Sequence, residues 1–343
     1  MGGKEKLAHS IHQVFPPTFS QYLEPFGGSG AILLSLPPHP ARLDIYNDYN
    51  SDLVNLFLCA RDRTLALCRE LRFLPLHSRA EFDFLVDFLR HKDLMRAHIQ
   101  EELEVAQACF PPEEAEILEE IFRERADLYD VRRAAAFYRR CRESFSGTTL
   151  TVGVKPCGIT RVLYQITDAS RRLQNVVIES KDAMRIIPER DIPDGLIYCD
   201  PPYYQAEKSY TTLFSKRAHV RLWRVLKRCR GYVVASYNDC GYIRNLYKDF
   251  YIFAFVRNNP MAKKKGARYG ELLITNYDPR RFMLHQMTLF DQKSGAASAD
   301  QLELELIHIP KTELRSENLE KCDQFGEKRQ RGDSDGRVET ERS

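Results

Sequence analysis

Short apolar runs alternate with amphipathic stretches along most of the chain. Residues 21–36, "QYLEPFGGSGAILLSL", read as a strand, a glycine turn and the start of a helix. "ARLDIYNDYN" (41–50) reads as a second strand that ends in polar residues near Asn47 and Asp48. "SDLVNLFLCARD" then has helical spacing, with Ser51 in a position to cap it. Residues 64–142 change character: they are charged, carry apolar residues at helical spacing and contain few glycines. They predict several helices, interrupted at Pro75 and at Pro111-Pro112.

Strand patterns return at "NVVIES" (175–180), "GLIYCD" (195–200), "GYVVASYN" (231–238), "FYIFAFV" (250–256) and "ELLITNY" (271–277). Strands alternating with helices predict an α/β fold with a doubly wound, mostly parallel sheet. Only a Lys-rich loop separates the last two strands, too short for a helical crossover, so they are expected to pair antiparallel. From about 291 the chain loses clear periodicity, and from Lys311 onward it is polar and charge-mixed, as disordered segments are. The expected organisation is a catalytic domain over 1–63 and 151–285, a helical insert over 64–150, and a largely disordered tail over 286–343.

Composition narrows the class. Apolar residues make up 43% of the chain, enough for a substantial core. No run of about 18 apolar residues occurs, so no membrane span is expected. The opening "MGGKEKLAHSIH" has no apolar signal-peptide core. The nine cysteines are scattered and form no C-x-x-C pair. They read as reduced thiols of a cytoplasmic protein, with neither a disulfide frame nor a metal site. The net charge of +3 hides an asymmetry: residues 300–343 carry a net −4, and the rest a net +7. Basic clusters lie at Arg132, Arg133, Arg139, Arg140 and Arg142, over Lys216 to Arg230, and at Lys263, Lys264, Lys265 and Arg268. Phosphate contacts need such clusters, although each alone is commonly a solvated helix face.

The chemistry centres on "IYCDPPYY" (197–204). An apolar run ends in Asp200, then Pro201, Pro202 and Tyr203. Ligands of open α/β sheets bind beyond the carboxyl ends of strands, where Asp200 would sit. Two prolines stiffen the loop and offer carbonyl oxygens without N–H groups. A carboxylate beside a carbonyl forms a double acceptor, suited to an amino group with two N–H bonds. Tyr203 adds a flat face on which a base can stack. The bland reading is a turn opened by Asp-Pro.

A second motif favours the chemical reading. "EPFGGSG" follows a strand and opens a helix, so its glycines let backbone approach a ligand. It is neither a full G-x-G-x-x-G nor a P-loop. Asp48 ends the next strand, close to where an acid binds ribose hydroxyls in nucleoside-binding folds. A glycine loop and a ribose acid without a phosphate cradle fit a nucleoside ligand lacking phosphate, and S-adenosyl-L-methionine is the obvious one.

"YLEPFGGSGAILLSL", "IYNDYNSDLVN", "IYCDPPYY", "GELLITNY" and the opening "MGGK" resemble the DNA adenine methylase (Dam-type) family. The likeness spans roughly residues 1–60 and 130–285, with the motifs in the family's order. It implies a Rossmann-like, S-adenosyl-L-methionine-dependent methyltransferase that transfers methyl to the N6 amino group of adenine in double-stranded DNA. It further implies that the 64–150 insert reads the DNA and that "RRCRESFSG" (139–147) joins it to the core. Lys4 and Asp182 are implied to line the cofactor site, joining Phe26, Gly27, Gly28, Gly30, Asp48 and Asp200. Asp182 equally suits the N-cap of the helix "AMRII". The catalytic set is Asp200, Pro201, Pro202 and Tyr203. The chain departs from the family in two places. No aromatic residue stands before Gly-Gly-Lys, so either the native start lies upstream or another ring serves. No "FNVP"-like strand follows Phe145.

Other chemistries remain open at this point. The Pro-Cys of "KPCG" (155–158) resembles the nucleophile of cytosine C5-methyltransferases, but Cys157 ends no apolar strand. Cytosine N4-methylation, RNA adenine methylation and protein glutamine methylation use related amino-group chemistry. A catalytically inactive DNA-binding module is the non-enzyme alternative. Gln286–Phe290, "QMTLF", resembles the short peptide by which bacterial DNA enzymes bind the replication sliding clamp. The competing expectation is that Met287, Leu289 and Phe290 cap the core.

Overall fold

The computed structural model describes Lys4 and residues 7–73, 79–90, 97–124, 129–143, 159–204, 214–258, 268–282 and 304–310. In chain order these form α1 (Ala8–His12), β1 (Gln21–Glu24), α2 (Ala31–Ser35), β2 (Leu43–Asn47), α3 (Ser51–Asp62), α4 (Thr64–Phe73) and α5 (Arg79–Arg90). Then follow α6 (Ala97–Cys109), α7 (Pro112–Glu124), α8 (Val131–Glu143), α9 (Ile159–Leu173), β3 (Val176–Glu179), α10 (Ala183–Arg190) and β4 (Gly195–Cys199). The chain continues through α11 (Lys216–Leu226), β5 (Tyr232–Asn238), α12 (Gly241–Leu246), β6 (Tyr251–Asn258), β7 (Arg268–Thr275) and β8 (Glu305–His308).

The strands form one sheet in the order β3-β2-β1-β4-β5-β7-β6-β8. The first five are parallel, and β7, β6 and β8 add antiparallel pairings. This is the doubly wound, mostly parallel sheet with an antiparallel end that the strand pattern predicts. The chain winds outward from β1 to β2 and β3, then returns to place β4 on the other side of β1. The winding therefore reverses between β1 and β4, and such a switch point opens a crevice beyond the carboxyl ends.

Alternation along each strand splits the core into two faces. Tyr22, Tyr46, Leu196 and Tyr198 face one layer, while Leu23, Ile45, Ile197 and Cys199 face the other. Helices α10, α11 and α12 cover the second face through Ile187, Leu222 and Ile243. The first face extends far into the segment expected as an insert. Leu67 and Leu71 of α4, Leu85 and Leu89 of α5 and Ala134 to Tyr138 of α8 all join its core. Within the described part of 64–150, α6 and α7 alone place no buried residue in either sheet core; Leu103, Ala106 and Ala115 are buried there.

Several local expectations change. The α3 cap is Asn50, whose side chain accepts from the Asp52 N–H, and not Ser51. Pro112 opens α7, where a missing N–H costs nothing. Arg133 and Arg139 are buried, at 1% and 6% exposure, so they are not phosphate contacts. The Arg133 guanidinium instead pairs with Asp52, fastening α8 to the start of α3. The tail segment returns to the sheet as β8, which pairs with β6. Gly2, Gly3, Cys157, the Lys263–Lys265 cluster and the Gln286–Phe290 peptide lie outside the described residues, as do residues 144–147 of the 139–147 joint. Among the described residues, no helix is long and apolar enough to cross a membrane.

Candidate active site

The glycine turn after β1 is shaped by the end of β2. A side chain at Gly27 would meet the Tyr46 ring at 2.2 Å, so only hydrogen fits there. Tyr46 stacks on Phe57 at 4.1 Å between ring centroids and donates its hydroxyl to the Gly28 carbonyl at 2.8 Å. Gly30 takes φ +63° before α2 begins, a conformation that favours glycine. Asp48 completes the brace: Oδ2 accepts from the Gly28 N–H and Oδ1 from the Asn50 N–H, both at 2.8 Å. Burial raises the Asp48 pKa, partly opposed by those N–H groups.

Beneath this turn lies an acid that the sequence motifs do not mark. Glu24 ends β1 at 2% exposure and accepts from the Tyr22 hydroxyl at 3.2 Å and the Leu33 N–H at 3.1 Å. Burial drives its pKa up to about 8, against those two donors.

A cavity of about 560 Å³ opens over the β1–β4 switch point, within the size range of small-molecule sites. Pro25, Phe26, Gly28, Asp48 and Asp182 line it from the β1, β2 and β3 side of the switch point; Asp200 and Pro202 line it from the β4 side. Phe26 meets Phe214 edge-on at 5.8 Å. Asp182 takes the N-cap position that was one of its two readings. Its Oδ1 caps α10 by accepting from the Met184 N–H at 2.8 Å, and the residue lines the cavity. Arg217 and Arg221, not expected at the site, line the same wall.

Asp200 follows β4, 24% exposed at its side chain. Its Oδ1 accepts from the Ser236 hydroxyl at 2.7 Å and lies 3.4 Å from the Lys4 ammonium. Oδ2 has no hydrogen-bond partner among the described residues. Lys4 does not line the cavity wall; it sits behind Asp200. Its ammonium donates to the Tyr203 hydroxyl at 2.6 Å and to Glu271 Oε2 at 3.1 Å. Burial alone would lower the Lys4 pKa. The charges of Asp200 and Glu271, with Tyr198 beside them, overcome it and raise the pKa. Tyr203 is 8% exposed, with its ring 6.4 Å from that of Tyr237. Its neighbour Tyr204 stacks on Tyr242 at 4.3 Å.

The strand-end acid, stiff proline loop and glycine turn thus converge on one cavity. A model of the family described as D12 class N6 adenine-specific DNA methyltransferase matches residues 1–259. The chain belongs to this family. The Type II methyltransferase M1.LlaDCHI of Lactococcus lactis subsp. cremoris is 27% identical over 291 residues, covering 80% of this chain and 93% of that protein. The chain is therefore an enzyme that methylates the N6 amino group of adenine in DNA.

For this methyltransferase, the residues missed from sequence are the two cavity arginines and, beneath the site, the buried Glu24, Ser236 and Glu271. For Glu271 a signal was available, a lone acid in the otherwise apolar run of "GELLITNY".

The cavity's chemistry fits a nucleoside cofactor. Gly28 takes φ +50° and a Cβ there would meet nothing within 4 Å, so backbone lies open to a ligand. Carboxylates at Asp48 and Asp182 provide acceptors for hydroxyl and amino groups, and Phe26 and Pro25 supply apolar surface.

Proposed function

We propose that this cavity binds S-adenosyl-L-methionine, and that Asp200 and the Pro201 carbonyl receive the amino group of an adenine extruded from double-stranded DNA. The observation that carries the reading is Asp200 itself. It lines the cavity, ends β4 at the switch point, and has one oxygen tied down while the other has no described partner. Asp48 would hold the ribose hydroxyls, Asp182 the adenine amino group of the cofactor, and Phe26 its apolar face. The bound cofactor supplies an electrophilic methyl group on a sulfonium.

The protein's task is to make a poor nucleophile react. The adenine N6 lone pair is delocalised into the ring. Accepting both N–H bonds at Asp200 Oδ2 and the Pro201 carbonyl favours a pyramidal nitrogen whose lone pair is available. As the nitrogen–carbon bond forms, positive charge grows on the amino group beside Asp200, which takes the proton that is shed. This is stabilisation by pre-set acceptors and by position. The target must leave the duplex to reach the pocket, and Tyr203 would stack on it.

DNA contact is proposed for basic surfaces and the insert, with one restriction. Residues 97–124, covering α6 and α7, contain nine Glu and a single Arg, which suits them poorly to phosphates. Lys216, Arg217 and Arg224 on α11 are exposed and better placed. Asp200→Ala is expected to abolish methylation of an oligonucleotide while leaving DNA affinity within several-fold, because phosphate contacts carry most of that affinity. Nucleoside analysis of the product reads out the modified base. Near-normal turnover by the variant would remove Asp200 from the reaction.

A further inference from the structure

We propose that Glu271 is a positioning residue for methyl transfer, acting through Lys4 to fix the orientation of Asp200 and Tyr203. The inference rests on the reading of Asp200 given above and extends it to β7, whose "GELLITNY" carries the family resemblance but was assigned no site residue.

Glu271 is fully buried, in β7, where it stands opposite Asn238 of β5 and Phe255 of β6. A carboxylate in the middle of a sheet is costly to desolvate and persists only with a partner. The partner is Lys4, which is 267 positions away and comes from the N-terminal segment. An ammonium has three N–H bonds, and three acceptors surround this one: Tyr203 Oη at 2.6 Å, Glu271 Oε2 at 3.1 Å and Asp200 Oδ1 at 3.4 Å. Glu271 therefore anchors a tripod whose other two feet are the acid and the aromatic ring of the Asp-Pro-Pro-Tyr loop. The Ser236 hydroxyl, itself 3.1 Å from that of Tyr198, holds the same Asp200 oxygen from the side. Together these contacts commit Oδ1 to the protein and leave Oδ2 for the substrate.

The charges add a second effect. Lys4 alone beside Asp200 would cancel the carboxylate just where positive charge develops on the amine. With Glu271 present, the three ionised groups sum to one negative charge. Two acids share the ammonium, and Asp200 retains more of its pull on the reacting nitrogen.

The test is Glu271→Gln, nearly equal in shape, which leaves Lys4 paired with Asp200. Single-turnover methylation of an adenine-containing duplex is expected to slow by at least about tenfold. Affinity for S-adenosylhomocysteine, by calorimetry, and for DNA should stay within about threefold. A purely structural role would lower melting temperature, rate and both affinities together, which overturns the proposal. So does an unchanged rate.

A second comparison sets Lys4→Gln against Lys4→Gln/Glu271→Gln. If Glu271 acts only through Lys4, these two have equal rates; a further large loss in the double variant contradicts the proposal. This pair decides the matter even if Glu271→Gln alone does not fold. Failure of the underlying reading looks different: the wild type itself would methylate adenine while Asp200→Ala remained active.

Discussion

Glu24 shows how the site loads strain onto a single ionisable group. The carboxyl is buried at the end of β1, and its pKa rises from 4.5 to about 8. A raised pKa means that the folded state holds the proton more tightly than the unfolded chain. The associated stability is fully present below about pH 4.5 and is lost as pH rises through about 8. The loss is on the order of a few kcal/mol. Glu24→Gln keeps an acceptor for Tyr22 and Leu33 but cannot titrate. It is expected to flatten the decline of melting temperature between about pH 5 and about pH 8.5 that the wild type shows. Parallel curves for the two proteins would assign the pH dependence to another group. Nothing in "QYLEPFGG" announces this, because a strand-terminal Glu before Pro is ordinary surface chemistry until the helix packed over it is known.

Among the elements, those facing the cavity were the most legible. β1, β2 and β4 are apolar runs that stop at Pro, Asp or Asn, and the stop itself carries the chemistry. Asp48 is an instance: the sequence marks it as a ribose acid, while the fold also uses it to brace the β1–α2 turn through Gly28. Loss of one charge-assisted hydrogen bond costs about 1.5–3 kcal/mol. Asp48→Ala is therefore expected to raise the dissociation constant for S-adenosylhomocysteine roughly tenfold or more, with a smaller effect on DNA affinity. An unchanged constant in calorimetry would move the ribose contact to another residue. The helices were less legible. The Arg-rich run of α8 looks like a phosphate-binding face, yet Arg133 and Arg139 turn inward because α8 packs on α3. Charge identity can be read from sequence; which way a helix turns its charges depends on what it packs against.

For the whole molecule, the sheet's open edge matters most. β6 would be an edge strand but for β8, and β8 lies in a segment that reads as tail. A signal was present: Leu302, Leu304 and Leu306 alternate with Glu303 and Glu305 at the two-residue period of a strand. It is short and sits within a charged stretch, so composition outweighed it. Leu304, Leu306 and Ile309 pack against one core layer and Ile307 against the other. The His308 ring also lies 2.7 Å from the Lys248 carbonyl. A chain ending after Pro310 loses only the polar, charge-mixed stretch from Lys311 onward, a composition that buries little apolar area, and is expected to melt within about one degree of the full-length protein. A chain ending before Leu304 loses those side chains and leaves β6 unpaired. It should melt several degrees lower and aggregate on heating, because an unpaired apolar edge recruits other chains. Light scattering during a thermal ramp separates the two truncations. Equal melting and equal scattering would mean that β8 contributes nothing to the sheet it joins.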